Sequence, residues 1–459
     1  MTDQPATPQT AGRSPALKLL AIGALTLLAI VPLFLIGMVT EERAGRAEEA
    51  KFDVAQGWGG PQRIAGPFLA VPYIALVKST NAARPDTFEE VRQVAVFLPR
   101  TLAIAADAQS EVRSRGIFDV TVFRSALSMK GMFEAPRFDG LGVTPARVLW
   151  AEAYVFLQVS DVRGIASNVA LGWDGKAEAA QFEPGVGADL AANPGVHARI
   201  ALDENADGHE FALELKINGT GELAVAPVGD DTALSLKSNW PHPSFQGAFL
   251  PDSKTISAAG FEATWSVPYL RRSLPNASLD PYQLLEAVGP THFGVSFYTP
   301  VDFYRLVDRA LKYAVLFVGL SFLVFFLVEI LSGGRVHAVQ YILAGAAQVV
   351  FYLLLLSLAE HIGFDFAYIA AAAATVALTF AYALAVLKSR KRALIVLAAA
   401  SVLYTLLYLL LGEEDYALLI GSGALFLVLA LTMFATRKID WYQLRFELPK
   451  GDGLAAAGR

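Results

Sequence analysis

The distribution of apolar positions divides the chain into three parts. One continuous apolar run covers residues 17–39, and five more follow one another between residues 312 and 435. The residues between these two regions carry no long apolar run and instead alternate apolar with polar positions. About 20 apolar residues in a helix cross the ~30 Å hydrocarbon core of a bilayer. The pattern therefore predicts six membrane spans and one large water-facing domain.

The first run predicts a transmembrane helix over residues 17–39 that stays in the mature protein. It exceeds the roughly 7–15 apolar residues of a signal peptide, and acidic residues follow it instead of a small-residue cleavage site. Lys18 lies at its end, where it can reach the headgroups, and Pro32 predicts a kink. The charged, alanine-rich residues 41–53 extend the helix, whereas residues 1–16 form a disordered cytoplasmic tail.

The C-terminal runs predict a bundle of five transmembrane helices. The spans lie near residues 312–332, 338–358, 366–387, 393–411 and 416–435. Every charged residue of this region falls at a span end or in a connection, as expected because charge is costly in hydrocarbon. Apolar residues at helical spacing in residues 302–312 predict that one continuous helix enters the second span.

Basic residues predict the orientation of the spans. The densest basic cluster of the chain is residues 388–392, and Arg437 and Lys438 follow the last span. Loops rich in Lys and Arg face the cytoplasm. Both termini, including the tail of residues 436–459, are therefore expected in the cytoplasm and residues 40–311 outside it. Basic residues between 305 and 312 oppose this only mildly, because long translocated domains escape the rule.

Residues 52–300 predict an antiparallel β-rich domain or two packed β-subdomains, so the fold class is an α+β membrane protein. In residues 211–217 apolar and charged side chains alternate, which is typical of a strand with one wet face. Asn218 and Gly219 then form a hairpin turn signal, and the alternation resumes at Leu223. Further strand patterns occur in residues 68–77, 94–98, 118–123, 154–159, 234–236 and 261–267.

Composition narrows the possible functions. The chain of 459 residues is 54% hydrophobic and 17% charged, with a net charge of −6 and no cysteine. A disordered chain and an ordinary soluble enzyme are disfavoured, since soluble domains are about 25% charged. A nucleic-acid partner is not expected for an acidic chain. Disulfides and thiolate chemistry are excluded.

Catalytic motifs are missing from the sequence. It has no Walker phosphate loop, no S-x-x-K dyad and no G-x-S-x-G turn. His209 and Glu210 begin like a zinc-protease helix, but residue 213 is leucine. The six histidines are scattered and show no ligand spacing. We therefore expect no enzyme activity, no cofactor and no metal, with a metal-dependent periplasmic hydrolase as the weakest alternative.

Two places stand out as candidate sites. Trp240, His242 and Phe245 lie in a segment that two prolines stiffen and bar from an internal strand. They form either a rigid recognition loop or, the interpretation we favour, a corner that fills the β-core. Glu329 ends the second span, and an intramembrane acid is a functional candidate by default. The favoured interpretation is an interfacial acid that faces Arg335 or Lys388.

Several motifs together resemble those of the CreD family of inner-membrane proteins. They are Asp302 to Tyr304, Arg309 to Ala314 with Lys312 and Tyr313, the apolar run to Glu329, and residues 239–251, 260–265 and 437–442. The resemblance implies a multi-pass inner-membrane protein of a Gram-negative cell, with residues 40–311 as a periplasmic domain. It also implies an association with cell-envelope integrity and a two-component regulon, and no agreed enzymatic activity.

The leading hypothesis is a non-enzymatic membrane protein that supports cell-envelope integrity. Its partners would be the lipid bilayer and an unknown envelope component or envelope protein, bound by the periplasmic domain. The second hypothesis is a transport or export accessory, because five spans are clustered and the third and fourth of the six spans carry polar groups. These are Gln340, Gln348, Tyr352, Thr375, Thr379 and Tyr382.

Overall fold

The computed structural model describes residues 15–78, 88–190, 194–297, 303–332, 336–413 and 415–437. The predicted disordered tail lies almost entirely outside these residues, as does most of the C-terminal tail. The chain divides into two compact units. One contains Met1–Arg46 with Val301–Arg459, and the other contains Ala47–Pro300. The first is the helix bundle and the second is the β-domain.

The described residues form eight α-helices. They are α1 (Pro15–Leu28), α2 (Ile30–Trp58), α3 (Pro281–Val288), α4 (Phe303–Ser332), α5 (Ala338–Ile362), α6 (Phe364–Leu387), α7 (Arg390–Gly412) and α8 (Ala417–Thr436). Six of the helical segments are long and apolar enough to span a membrane, α1 with α2 counting as one. The predicted continuous helix into the second span is confirmed, since α4 begins at Phe303.

The N-terminal span is interrupted at Ala29. Pro32 has no N–H to donate to the carbonyl of Leu28, so one hydrogen bond of the helix is missing there. The amides of Ala29 and Leu33 still bond the carbonyls four residues earlier, at 3.0 and 3.3 Å. Beyond the break, α2 continues through the charged residues to Trp58, as the sequence predicted.

The bundle core is built from α1, α4, α5, α6 and α7. Helix α1 packs on α4 and α5, α5 packs on α6, and α7 packs on both α4 and α6. Buried side chains at this core include Val318, Phe322, Tyr341 and Ala383. Helix α8 touches α7 and has no buried residue, so nearly its whole apolar surface is left for lipid.

The described residues of the β-domain form eighteen strands. They are β1 (Gln62–Lys78), β2 (Phe88–Phe97), β3 (Thr101–Arg115), β4 (Phe118–Glu134), β5 (Arg147–Val148), β6 (Tyr154–Val159), β7 (Ala170–Trp173), β8 (Lys176–Gln181), β9 (Glu183–Pro184), β10 (Gly195–Arg199), β11 (Gly208–Thr220), β12 (Glu222–Val225), β13 (Asp231–Ser238), β14 (Pro243–Gly247), β15 (Ser253–Ser257), β16 (Gly260–Val267), β17 (Ala277–Ser278) and β18 (Phe293–Phe297).

The strands form two sheets. The larger runs β14-β18-β12-β1-β6-β10-β9, with β2 and β5 also paired to β1 and β17 paired to β2. The smaller runs β15-β16-β13-β3-β4-β11-β7-β8. Strand β13 alternates exposed and buried residues along its length, so one face of its sheet is wet. The buried aromatic residues Phe68, Phe123, Phe156 and Trp265 belong to one continuous core.

The predicted antiparallel, β-rich domain is confirmed, but two of its strand pairs are parallel. Strands β1 and β12 pair in parallel, and so do β3 and β13. Parallel neighbours cannot be joined by a tight turn and need a long connection. These pairs join segments that are more than a hundred residues apart in the sequence. The alternation of apolar and polar residues along one strand does not reveal which distant strand lies beside it.

The prediction of a hairpin turn at Asn218 and Gly219 is wrong. Both residues lie inside β11, paired with Arg124 and Phe123 of β4. A Cβ at Gly219 would come within 2.5 Å of the Phe123 ring, so this glycine makes room for an aromatic side chain. The turn comes at Gly221, whose φ is 71°, and β12 then pairs in the other sheet.

Candidate functional site

Glu329 is the centre of a buried polar cluster in the bundle, and it is only 5% exposed. Its Oε1 is ion-paired with Lys18 of α1 and accepts from the Val336 amide at 2.9 Å. Its Oε2 accepts from the Tyr341 hydroxyl of α5 at 3.0 Å. Lys18 also donates to the Val336 carbonyl at 2.8 Å. We call these four residues the Glu329 cluster.

Lys18 is a partner of Glu329 that the sequence did not predict, and the contact with Arg335 stays a prediction. Lys388 makes no ion pair with it among the described residues, and Arg335 lies outside them. Lys18 had been expected to reach the headgroups, yet its ammonium group turns to the acid. An ion pair is cheaper than a solitary charge beside hydrocarbon, and α1 lies directly against α4.

A second cluster of the same design surrounds Glu360 on α5. The Tyr304 hydroxyl of α4 donates to its Oε1 at 3.1 Å, and Arg43 of α2 lies 3.9 Å away. We call these three residues the Glu360 cluster. Each acid thus accepts a hydrogen bond from a tyrosine of α4 or α5 and is paired with a cation of the N-terminal helical segment. Lys18 and Arg43 are 25 positions apart, about 37 Å along a helix, so both ends of a span are fastened.

The other predicted motif residues occupy the N-terminal half of α4. The Arg309 guanidinium donates to the carbonyls of Leu410 and Glu413 at 3.1 and 3.2 Å, where α7 ends. A cation at this end satisfies free carbonyls and opposes the helix dipole. Lys312 is exposed and pairs with Asp308 at 2.7 Å, and Tyr313 is half-buried. Arg309 and Glu329 therefore make long-range contacts.

Polar groups in the middle of the bundle surround a small cavity. Ser321, Gln348, Thr379 and Tyr404 line it, one from each of α4 to α7, and its volume is about 20 Å³. Gln348 and Thr379 are buried. A space of this size holds about one water molecule.

The predicted segment of Trp240, His242 and Phe245 lies at the edge of the β-domain. Its second half is strand β14, the last strand of the larger sheet, where a proline is tolerated. Phe245 contacts Phe261 and Trp265, with ring centroids 5.6 and 5.8 Å apart. Trp240 also packs against the core, whereas His242 is exposed.

The neighbouring surface combines a polar groove with two strand edges that pair with no further strand among the described residues. Strands β14 and β15 each end a sheet, and Lys254 of β15 lies 5.6 Å from the Phe245 ring. A groove of about 390 Å³ on the outer face of the smaller sheet is lined by Asp107, Gln109, Lys237, Asn239, Thr255 and Glu262, among others. We call residues 239–257 the edge segment.

Asn239 fixes the start of the edge segment, and sequence reasoning passed over this residue. Its Oδ1 accepts from the Ser110 amide at 2.7 Å and its Nδ2 donates to the Ser110 carbonyl at 3.0 Å. The carboxamide thereby continues the β3 pairing beyond the end of β13. An asparagine between a strand pattern and a proline was the available signal.

His209 lies on β11 and not on a helix. It is buried, its Nδ1 is 2.7 Å from Asp174 Oδ2, and its ring stacks on Trp173. The backbone of Asp174 is in the left-handed region with φ 47°. Within the described ranges, no group of three or more His, Asp or Glu residues is placed to hold a metal ion.

The fold defines the class as a multi-pass α+β membrane protein with a large β-domain. A family model described as "Inner membrane protein CreD" matches residues 14–442. The inner membrane protein CreD of Escherichia coli (strain K12) is 35% identical over 435 residues, which cover 94% of each chain. The chain belongs to the CreD family. Both names are those of an inner membrane protein and not of an enzyme.

A putative nutrient binding protein from Legionella pneumophila is a further structural match. The two chains are 8% identical with a TM-score of 0.24, over 56% of this chain and 80% of the other. A likeness at this level carries no argument about fold or function.

Proposed function

We propose that this protein supports cell-envelope integrity by binding an envelope component or envelope protein through its β-domain, without catalysis. The observation that carries the proposal is the edge segment. Two strand edges lie next to each other there, and backbone groups at an edge are available to another chain. The exposed imidazole of His242 and the polar groove flank these edges.

The proposed orientation places residues 40–311 in the periplasm and both termini in the cytoplasm. The basic residues 388–392 support it, because such loops stay in the cytoplasm. The connections at the other ends of the same helices contain Glu360, Asp365, Glu413 and Asp415 and carry no Lys or Arg. The β-domain would then meet envelope components in the periplasm.

The absence of catalysis is supported by how the titratable groups are used. Glu329 and Glu360 are each engaged by a cation and a tyrosine hydroxyl. His209 is buried against Asp174 and Trp173, out of reach of a substrate. These contacts favour structural roles for the groups that would be the first candidates for acid–base work.

In-cell photo-crosslinking from position 242 tests the proposal. A photoreactive residue in place of His242 is expected to give one discrete adduct, because this side chain is exposed beside the strand edges. The matched control is position 216, where Lys216 is exposed on the outer face of β11. Adducts of equal size and yield from both positions, or none from position 242, would overturn the assignment of this surface.

Envelope leakage in the same cells supplies the functional readout. His242→Ala is expected to leave the level of folded protein unchanged, since an exposed side chain contributes little to stability, and to increase leakage. Lys216→Ala is expected to change neither quantity. A variant His242→Ala that is folded and does not leak would count against a binding role for this residue.

The transport or export accessory remains the alternative, and one observation bears on it. The polar side chains of four helices do meet, but around a cavity of about 20 Å³, which fits one water and not a passage. Replacing Gln348 by leucine and Thr379 by valine together removes their polar groups. Unchanged envelope function in this folded double variant would eliminate the alternative, and loss of function would favour it.

A further inference from the structure

The connection between α6 and α7 concentrates positive charge. Lys388, Arg390, Lys391 and Arg392 fall within five residues. Lys388, Arg390 and Lys391 are exposed, and these three have no acidic partner among the described residues. Elsewhere in the bundle, Lys18, Arg43 and Lys312 each pair with an acid. We call residues 388–392 the basic loop, and the charges of Lys388, Arg390 and Lys391 within it are not compensated by an acid among the described residues.

The backbone conformation raises the free energy of the positively charged loop further. Arg390 to Arg392 form the first turn of α7, where the helix dipole is also positive. Lys388 adopts a left-handed conformation with φ 49°, which costs a non-glycine residue free energy. The cations repel one another and the helix end, so an anion at this position would stabilise the loop.

An apolar surface continues directly from the basic loop. Leu394, Ile395 and Val402 follow on α7 and are 53%, 55% and 66% exposed. In a membrane-spanning helix such side chains face the acyl chains. The surface thus offers cations at one end and hydrocarbon along the rest, within one helix. A free phosphate would match only the charged end.

We propose that the basic loop binds the headgroup of an anionic phospholipid whose acyl chains lie along the exposed face of α7. Lys388, Arg390 and Lys391 hold the phosphate, and Leu394, Ile395 and Val402 contact the chains. Clusters of Lys and Arg next to a transmembrane helix attract anionic lipids by about a factor of five per cation. Three cations then give a preference on the order of a hundredfold over a neutral lipid.

The experiment uses the full chain in nanodiscs. Phosphatidylglycerol and phosphatidylcholine compete in the same discs, and native mass spectrometry counts the lipids that each molecule retains. We expect retained phosphatidylglycerol on the native chain, declining as salt rises. Equal retention of the two lipids, or retention unaffected by salt, would overturn the proposal. This measurement uses only the native chain, so it does not depend on whether a variant folds.

Matched charge variants locate the site. Lys388→Gln/Arg390→Gln/Lys391→Gln is expected to lose the preference, whereas Lys130→Gln/Lys176→Gln/Lys216→Gln removes three exposed, unpaired cations of the β-domain and is expected to keep it. Before purification, labelling of Ala258→Cys in intact cells by a membrane-impermeant thiol reagent checks that both variants have inserted in the native orientation. Unchanged retention in the first variant would refute the assignment.

Inorganic phosphate distinguishes the lipid from a free anion. Millimolar phosphate at constant ionic strength is expected to leave the retained phosphatidylglycerol in place, because the acyl chains add contacts that phosphate lacks. Full displacement by phosphate would mean that the basic loop is an anion site open to solvent, and the lipid proposal would fall.

Discussion

Glu329 illustrates why a buried acid in a membrane protein need not be a reactive group. Its two oxygens accept from a lysine of α1, a backbone amide in the connection before α5 and a tyrosine hydroxyl of α5. Such a carboxylate is satisfied, and its removal from water is offset by these bonds. Removing one partner leaves the charge uncompensated, which costs more than the pair contributes.

The first prediction concerns this ion pair. Lys18→Ala is expected to destabilise the bundle by about 3 kcal/mol, the low end for a broken buried pair, because the Lys18 side chain is 29% exposed. Lys18→Ala/Glu329→Gln removes both charges and is expected to recover most of the loss. Thermal unfolding of the purified chain in one detergent measures both.

Lys312→Ala is the matched control for that experiment. Its pair with Asp308 is exposed on both sides, so the expected loss is below about 1 kcal/mol. An equal loss from Lys18→Ala and Lys312→Ala would show that the Glu329 cluster is no stronger than a surface ion pair.

A second prediction concerns Asp161 in the β-domain. Hydrogen bonds from Arg163 and from the Gly60 amide hold the pKa of Asp161 below its usual value, against a smaller rise from burial. The ionised form is favoured in the folded state, so the carboxylate contributes stability above its unfolded pKa of about 3.9. That contribution is lost as the pH falls through the lower, folded pKa.

Asp161→Asn is therefore expected to lower the free energy of unfolding at neutral pH. The free energy of unfolding of this variant should also depend less on pH in the acidic range. Unfolding curves at pH values from neutral to below 4 are expected to converge for the two chains as the native carboxylate is protonated. Asp139→Asn is the control, because Asp139 is an exposed acid whose replacement should leave the curve unchanged. Parallel curves at all pH values for Asp161→Asn would contradict the prediction.

The end of α2 is held by the β3–β4 hairpin. The Trp58 indole N–H donates to the Phe123 carbonyl at 3.3 Å, and the Arg113 guanidinium lies 3.8 Å from the ring centroid. Asp53 pairs with Arg115 at 3.1 Å. These contacts attach the last two turns of a helix to the tip of a two-stranded ribbon, and such a ribbon is only marginally stable on its own.

The third prediction is that Trp58→Ala loosens this hairpin. The hydrogen bond and the cation–π contact together contribute about 2 kcal/mol. Hydrogen exchange in residues 111–122 is expected to accelerate accordingly, while exchange in β13 and β16 stays the same. Phe52→Ala, whose side chain is 62% exposed on the same helix, is expected to change neither. Acceleration spread evenly over the β-domain would contradict a local role.

Individual elements were largely predictable, and their partners were not. The period of two in residues 211–217 identified β11, and the helical spacing of residues 302–312 identified the start of α4, because both patterns are local. The turn signal at Asn218 and Gly219 failed because the glycine there makes room for Phe123, which comes from another strand. The sequence alone does not distinguish a glycine required by packing from a glycine required by a turn.

For the whole molecule, the fourth prediction concerns orientation. The chain has no cysteine, so a single introduced cysteine is the only thiol. Ala258→Cys lies in an exposed turn of the β-domain, and Ala457→Cys lies in the C-terminal tail. Labelling of intact cells by a membrane-impermeant reagent that passes the outer membrane is expected at position 258 and not at 457. Labelling of 457, or of both, would contradict the proposed orientation.

The sequence alone determined the long apolar helices, the helical extension after the first of them, the β-rich character of the domain and the family. These properties depend on the order of neighbouring side chains, and hydrophobic periodicity records that order directly. The tertiary structure decided that Lys18 meets Glu329 across 311 positions, that β3 lies beside β13, and that Trp240 and Phe245 face the core while His242 stays exposed. Such contacts depend on how distant segments pack, and no local pattern carries that information.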